Sequence, residues 1–143
     1  MNTSIAQTNS VDLHYDRFYQ NIAVLCAVMA FSGFLPSYWT PMLNADLHIP
    51  RVVHLHGILF FAWTLFFILQ TSLVARGRTV MHRELGLLGI SLATAMLFTG
   101  MVVAIGGMNR FISMGFGDAA RAFSIVPLSG ILFFTCVIAY GVA

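Results

Sequence analysis

Lysine is absent from this chain, and only five carboxylates, Asp12, Asp16, Asp46, Glu84 and Asp118, accompany its seven arginines. Of its 143 residues 8% are charged and 59% hydrophobic, whereas an ordinary soluble domain carries roughly 25% charged residues. The composition therefore excludes a soluble globular domain. It also excludes a nucleic-acid-binding face, which needs clustered basic residues to neutralise phosphates. Cysteine is scarce: Cys26 and Cys136 both fall inside apolar runs. No disulfide is expected, and each reads as a small, inert apolar side chain, since a thiol becomes reactive beside an electropositive neighbour and neither has one in sequence. No glycine-rich phosphate loop, HExxH, CxxC or GxSxG occurs, so no catalytic residue is assigned. The acids lie at the ends of apolar runs rather than within them, which argues against an ion pump.

What is present is apolar sequence in long runs. A hydrocarbon core about 30 Å thick takes roughly 20 apolar residues to cross as a helix, and four stretches qualify: Phe18 to Tyr38, Val53 to Ala75, Leu85 to Gly106, and Ala119 to Ala143. None shows the period-2 alternation of barrel strands, and lipid offers no water to unpaired backbone groups. The expected fold is all-α, an integral membrane bundle of four helices over residues 18–143, preceded by a tail over residues 1–17. That tail lacks the basic, apolar and small-residue sequence of a removable signal peptide. The closing run ILFFTCVIAYGVA has no flanking charge, which predicts a natural chain that continues beyond it.

Arginine placement sets the expected orientation. Arg17, Arg76, Arg78 and Arg83 fall on one face and Arg51, Arg110 and Arg121 on the other. Three of the first group crowd the tight loop ARGRTVMHRE, so the positive-inside rule puts that loop and the N-terminus in the cytoplasm. Arg76, Arg78 and Arg83 form a cluster suited to anionic phospholipid headgroups. Tyr15, Phe18 and Tyr19 at one end of the first span, with Tyr38 and Trp39 at the other, resemble the two aromatic belts of a membrane helix.

Small residues and prolines mark the helix faces. Gly86, Gly89, Ala93 and Gly100 would let a neighbour approach the third span closely. Pro36 should break the ladder at the end of the first span, and Pro50 should open the second. Pro127 should kink the fourth.

Five histidines carry the candidate chemistry: His14, His48, His54, His56 and His82. Neutral imidazole is a metal and haem ligand, and a histidine at membrane depth calls for a functional hypothesis. His54 and His56 point about 200° apart on a helix, so they cannot share one ion unless the helix unwinds. His56 begins a stripe, His56, Phe60, Trp63, Phe67 and Gln70, that reads either as a helix interface, with Gln70 bonding across to a neighbour, or as the wall of a planar cofactor with His56 as axial ligand. His82 reads as a headgroup contact in the arginine loop. From His56 to Ala75 the helix is already about 28 Å long, so His56 and His82 cannot serve one iron. Glu84 suits the first turn of the third span.

The segment HLHGILFFAWTLFFILQTSLVARGRTVMHRELGLLG resembles the hairpin of a family of bacterial multi-span membrane proteins. In that hairpin a His-Gly pair opens one helix, a glutamine follows, and an HRxxG turn opens the next. It is also faintly similar to the b-type cytochromes of the 561 class. The first resemblance implies a bacterial inner-membrane protein. The second implies haem b, with His56 or His54 as an outer ligand and His82 as an inner one, their partners coming from a fourth and a fifth helix. Here the chain departs from the pattern, since its fourth span has no histidine and there is no fifth; Met108 or Met114 could substitute on the outer side. Three functions stay open: a non-catalytic accessory or assembly subunit, whose partners are the bilayer and other membrane subunits or further copies; a haem-binding electron carrier; and a small transporter or lipid-handling protein.

Overall fold

A computed structural model of the chain describes residues 2–44 and 49–142, without the side chains of residues 2–17 and of Ser37. In chain order it contains α1 (Asn2–Gly33), a π-helical turn (Leu35–Trp39), α2 (Thr40–Asn44), α3 (Arg51–Ala75), α4 (Thr79–Ser113), α5 (Gly117–Phe123) and α6 (Ile125–Val142). The all-α class agrees with the sequence. Three segments, Arg51–Ala75, Thr79–Ser113 and Gly117–Val142, are long and apolar enough to cross a membrane, while Phe18–Gly33 is a shorter apolar helix. The four expected spans thus become three and a shorter fourth. The helix that carries the first apolar run begins at Asn2 and so runs through most of residues 1–17.

Proline explains two of the helix ends. Pro36 has no N–H to offer the ladder, and α1 stops at Gly33. Beyond it Tyr38 and Trp39 both donate their N–H to the Phe34 carbonyl, at 3.0 and 3.1 Å. The Thr40 hydroxyl donates to the Leu35 carbonyl at 2.9 Å. Pro127 acts in the same way four residues upstream of itself: it cannot donate to the carbonyl of Phe123, the last residue of α5, and α6 restarts at Ile125. The expected kink is a break at Ser124.

Glycine explains two more. Gly77 has φ of +68° and Gly115 of +89°, the left-handed region that a side chain disfavours. Around Gly77, Arg78 N–H reaches the Leu73 carbonyl at 2.8 Å and Gly77 N–H reaches Val74 at 2.9 Å. Phe116 and Gly115 repeat this on Phe111 and Ile112 at 3.1 and 3.0 Å. Both α3 and α4 therefore end in the paired closure that satisfies terminal carbonyls. Because the turn is closed by Gly77, α4 starts at Thr79, and His82 lies inside the helix rather than in the loop where the sequence placed it.

The chain divides into two compact units, Met1–His48 with Phe61–Gly89, and Ile49–Phe60 with Ile90–Ala143. In the first, Ala23 and Ala27 are buried one turn apart on α1, and Leu73 is buried on α3. Phe61 is the aromatic hub: it stacks on Phe31 at 4.2 Å and on Trp39 at 5.4 Å, with Phe34 edge-on at 6.1 Å. Each such pair adds about 0.5–1.5 kcal/mol beyond area burial. In the second unit Ala93, Met96 and Ala120 are buried. Apolar helices tolerate their hydroxyls by turning them inward on their own ladder. Thr71, Thr94 and Thr135 donate to the carbonyls of Phe67, Ile90 and Ile131 at 3.1, 2.8 and 2.8 Å.

Candidate functional site

In the second unit the site is built around His56. The α3 helix is continuous from Arg51 to Ala75, so His54 and His56 keep their separate faces and do not converge. His56 Nδ1 lies 3.0 Å from Thr99 Oγ1 on α4. That hydroxyl has one proton, and it stands 2.9 Å from the Ala95 carbonyl and 3.2 Å from the Met96 carbonyl, to which it donates. With that proton on its own ladder, the hydroxyl's lone pair is open to an N–H from His56 Nδ1. The ring fits because position 100 is glycine: a Cβ there would stand 3.0 Å from His56 Cε1.

In the first unit a second polar set is drawn from α1, α3 and α4. Gln20 on α1 donates through Nε2 to Ser72 Oγ on α3 at 3.1 Å. Gln70 is buried, with 9% of its surface exposed. As expected it faces inward, but among the described residues its Oε1 has no hydrogen-bond partner, and neither has the buried Nδ1 of His82. A buried polar atom without a partner forfeits about 1–3 kcal/mol. The cross-helix bond expected of Gln70 Oε1 is thus not made within the unit. His82 itself lies in the first turn of α4 and is partly buried.

Of the four small residues on α4, Gly89 and Ala93 are buried. A Cβ on Gly89 would stand 2.6 Å from Phe66 Cε1, whereas one on Gly86 would meet nothing within 4 Å. The expected stripe is not one interface: Gln70 is buried but Phe67 is 42% exposed, and the packing face runs through Phe66, Gln70 and Leu73 instead. A period drawn from His56 selects Phe67 over its neighbour Phe66; only the facing glycine distinguishes them. Phe61 was missed for the same reason.

The arginines Arg76, Arg78 and Arg83 are exposed, as is Glu84. Cys26 and Cys136 are free thiols, exposed on their helices. Met108 is partly buried and Met114 exposed. His48 and the His14 side chain lie outside the described residues. Among the described residues no three His, Cys, Asp or Glu side chains cluster to hold a metal ion. An apolar groove of about 540 Å³ in the first unit is lined by Val24, Val28, Phe31, Trp39 and Ile68 among others. No protein-family model matches the chain, and neither a curated protein nor a solved structure is similar to it.

Proposed function

We propose that the chain is a multi-pass protein of the bacterial inner membrane, acting as a non-catalytic accessory or assembly subunit of a larger membrane complex. One observation carries this reading: of the apolar window in Gly117–Val142 none is buried, against 17% of that in Thr79–Ser113. That span also keeps Gly130 and Gly141 open, with nothing within 4 Å of a Cβ at either position. A helix with small residues uncovered by its own chain is suited to close packing by another. The N-terminus and the Arg76–Arg83 turn face the cytoplasm in this reading, and the turn contacts anionic headgroups.

The test is the mass of the native particle. The tagged chain, extracted with its surrounding lipid in polymer-bounded discs, should travel with further protein, and Gly130→Leu should release it. A particle holding one 15.7 kDa chain and lipid alone overturns the reading. Orientation is checked with Cys26 and Cys136 replaced by Ala: Asn44→Cys should react with an impermeant thiol reagent in spheroplasts, and Thr79→Cys should not.

The hydrogen bond between His56 Nδ1 and Thr99 favours a second reading, a b-type haem protein. A ligating imidazole commonly donates its other N–H to a neighbour in this way. The fit is partial: the other described histidine of that unit, His54, lies on a different face, so the second axial group would come from elsewhere. A reduced-minus-oxidised spectrum of the native particle with a b-type α band, lost in His56→Ala, is the expected signature. Colourless protein at full occupancy of the membrane removes this reading.

A further inference from the structure

One face of α4 carries Gly86, Gly89, Ala93 and Gly100, at alternating steps of three and four with Met96. Its glycines meet different fates. His56 fills the space before Gly100 and Phe66 the space before Gly89, yet nothing stands within 4 Å of a Cβ at Gly86. The contact of Phe66 with Gly89 also gives the register of the antiparallel pair in the first unit. Four residues on from Phe66, on the same face, comes Gln70, which this register sets opposite residues 85 and 86. Two turns before Gly89, on the face that carries Gly86, comes His82. By this register the open space at Gly86 falls between two residues that hold buried polar atoms without partners among the described residues, Gln70 Oε1 and His82 Nδ1.

We propose that this gap binds one hydroxyl group, which donates to Gln70 Oε1 and accepts from His82 Nδ1–H. The choice follows from the inventory of the two side chains. An amide oxygen only accepts, so the occupant must bring a proton; an imidazole N–H only donates, so the occupant must also bring a lone pair. An ether or a ketone lacks the first and an ammonium lacks the second. An O–H satisfies both atoms through a single oxygen, and glycine at position 86 leaves the room it needs. The hydroxyl is supplied either by a water molecule or by a lipid-soluble phenol such as an alkyl hydroquinone. This inference does not rest on the assembly reading, since both atoms and the gap belong to one unit of this chain.

The test uses the full chain in phosphatidylcholine nanodiscs, labelled with ¹⁵N-histidine and compared with Gly86→Val and Gln70→Leu. The first variant fills the gap without touching either polar atom. The second removes the acceptor and serves if the first fails to fold. If water is the source, the His82 Nδ1–H signal shows cross-relaxation with water in the resting protein, and either variant abolishes it. If a phenol is the source, an alkyl hydroquinone shifts that signal and raises the melting temperature, its dimethyl ether does neither, and either variant weakens binding about tenfold, the loss of one hydrogen bond. The proposal is overturned if there is no water cross-relaxation and hydroquinone and ether behave alike. It is equally overturned if His82 carries its proton on Nε2, or if both variants leave every signal unchanged.

Discussion

Two stretches of the seam between α3 and α4 use the same residue types to opposite ends. Around Thr99 and Gly100 a histidine is seated against a glycine and its inward nitrogen is bonded at 3.0 Å. Around Gly86 a buried glutamine and a partly buried histidine each hold a buried polar atom without a partner among the described residues, and the glycine faces open space. The first stretch is complete as it stands. The second has the composition of an interface and the packing of a binding site. Counting small and polar residues cannot separate the two; what separates them is whether the facing side chain reaches the glycine.

The most severe way to break the contrast is at the glycines themselves. Gly89→Leu should cost about 1–3 kcal/mol through overpacking against Phe66, whereas Gly86→Ala should be neutral or stabilising by up to about 1 kcal/mol from helix propensity. Thermal unfolding in detergent measures both, and equal losses would mean that the gap is closed. Next come the α3 aromatics. Phe61→Leu removes two stacked pairs and should cost about 1–3 kcal/mol, while Phe67→Leu at a 42% exposed position should fall within about 0.5 kcal/mol of zero.

A finer comparison uses two threonines that both donate to their own ladder. Thr99→Val also strips His56 of its acceptor, and its cost should be about 0.6 kcal/mol and at most about 1.7. Thr94→Val, which loses only a local bond, should cost less. Histidine ¹⁵N spectra check the mechanism, since only Thr99→Val should release the His56 tautomer. The smallest effect belongs to the turn: Arg76→Gln, Arg78→Gln or Arg83→Gln should each weaken association with anionic vesicles by at most about 1 kcal/mol, and less as salt rises.

The apolar helices were legible in the sequence because lipid-length runs without charge admit little else. Their ends were not. The run from Leu85 to Gly106 marks the apolar middle of a helix that continues from Thr79 to Ser113, about 52 Å. Hydropathy reports where a helix meets apolar surroundings; the ladder stops only where Gly77 and Gly115 reverse the backbone. Pro36 and Pro127 were readable as breaks because their missing N–H acts within the local chain. For the site, inspection could nominate His56, Gln70, Gly89 and Gly100. It could not pair them, because pairing depends on the register of α3 against α4, and that register is set by Phe66 in its glycine notch. The same limit hid Phe61, whose partners come from α1 and the π-helical turn.

The hydroxyls of these helices have a consequence for how the chain could be recognised. Ser129 and Thr135 on α6, Thr94 on α4 and Thr71 on α3 each give their proton to a carbonyl of their own helix. A neighbour approaching from the side meets oxygens whose donors are already committed. It would tell this chain from another by contour, by where a glycine lets a backbone come near and a phenylalanine keeps it away. Specificity of that kind is steric: it survives changes of salt and pH that would scramble a charged interface, and a single added methyl group can erase it.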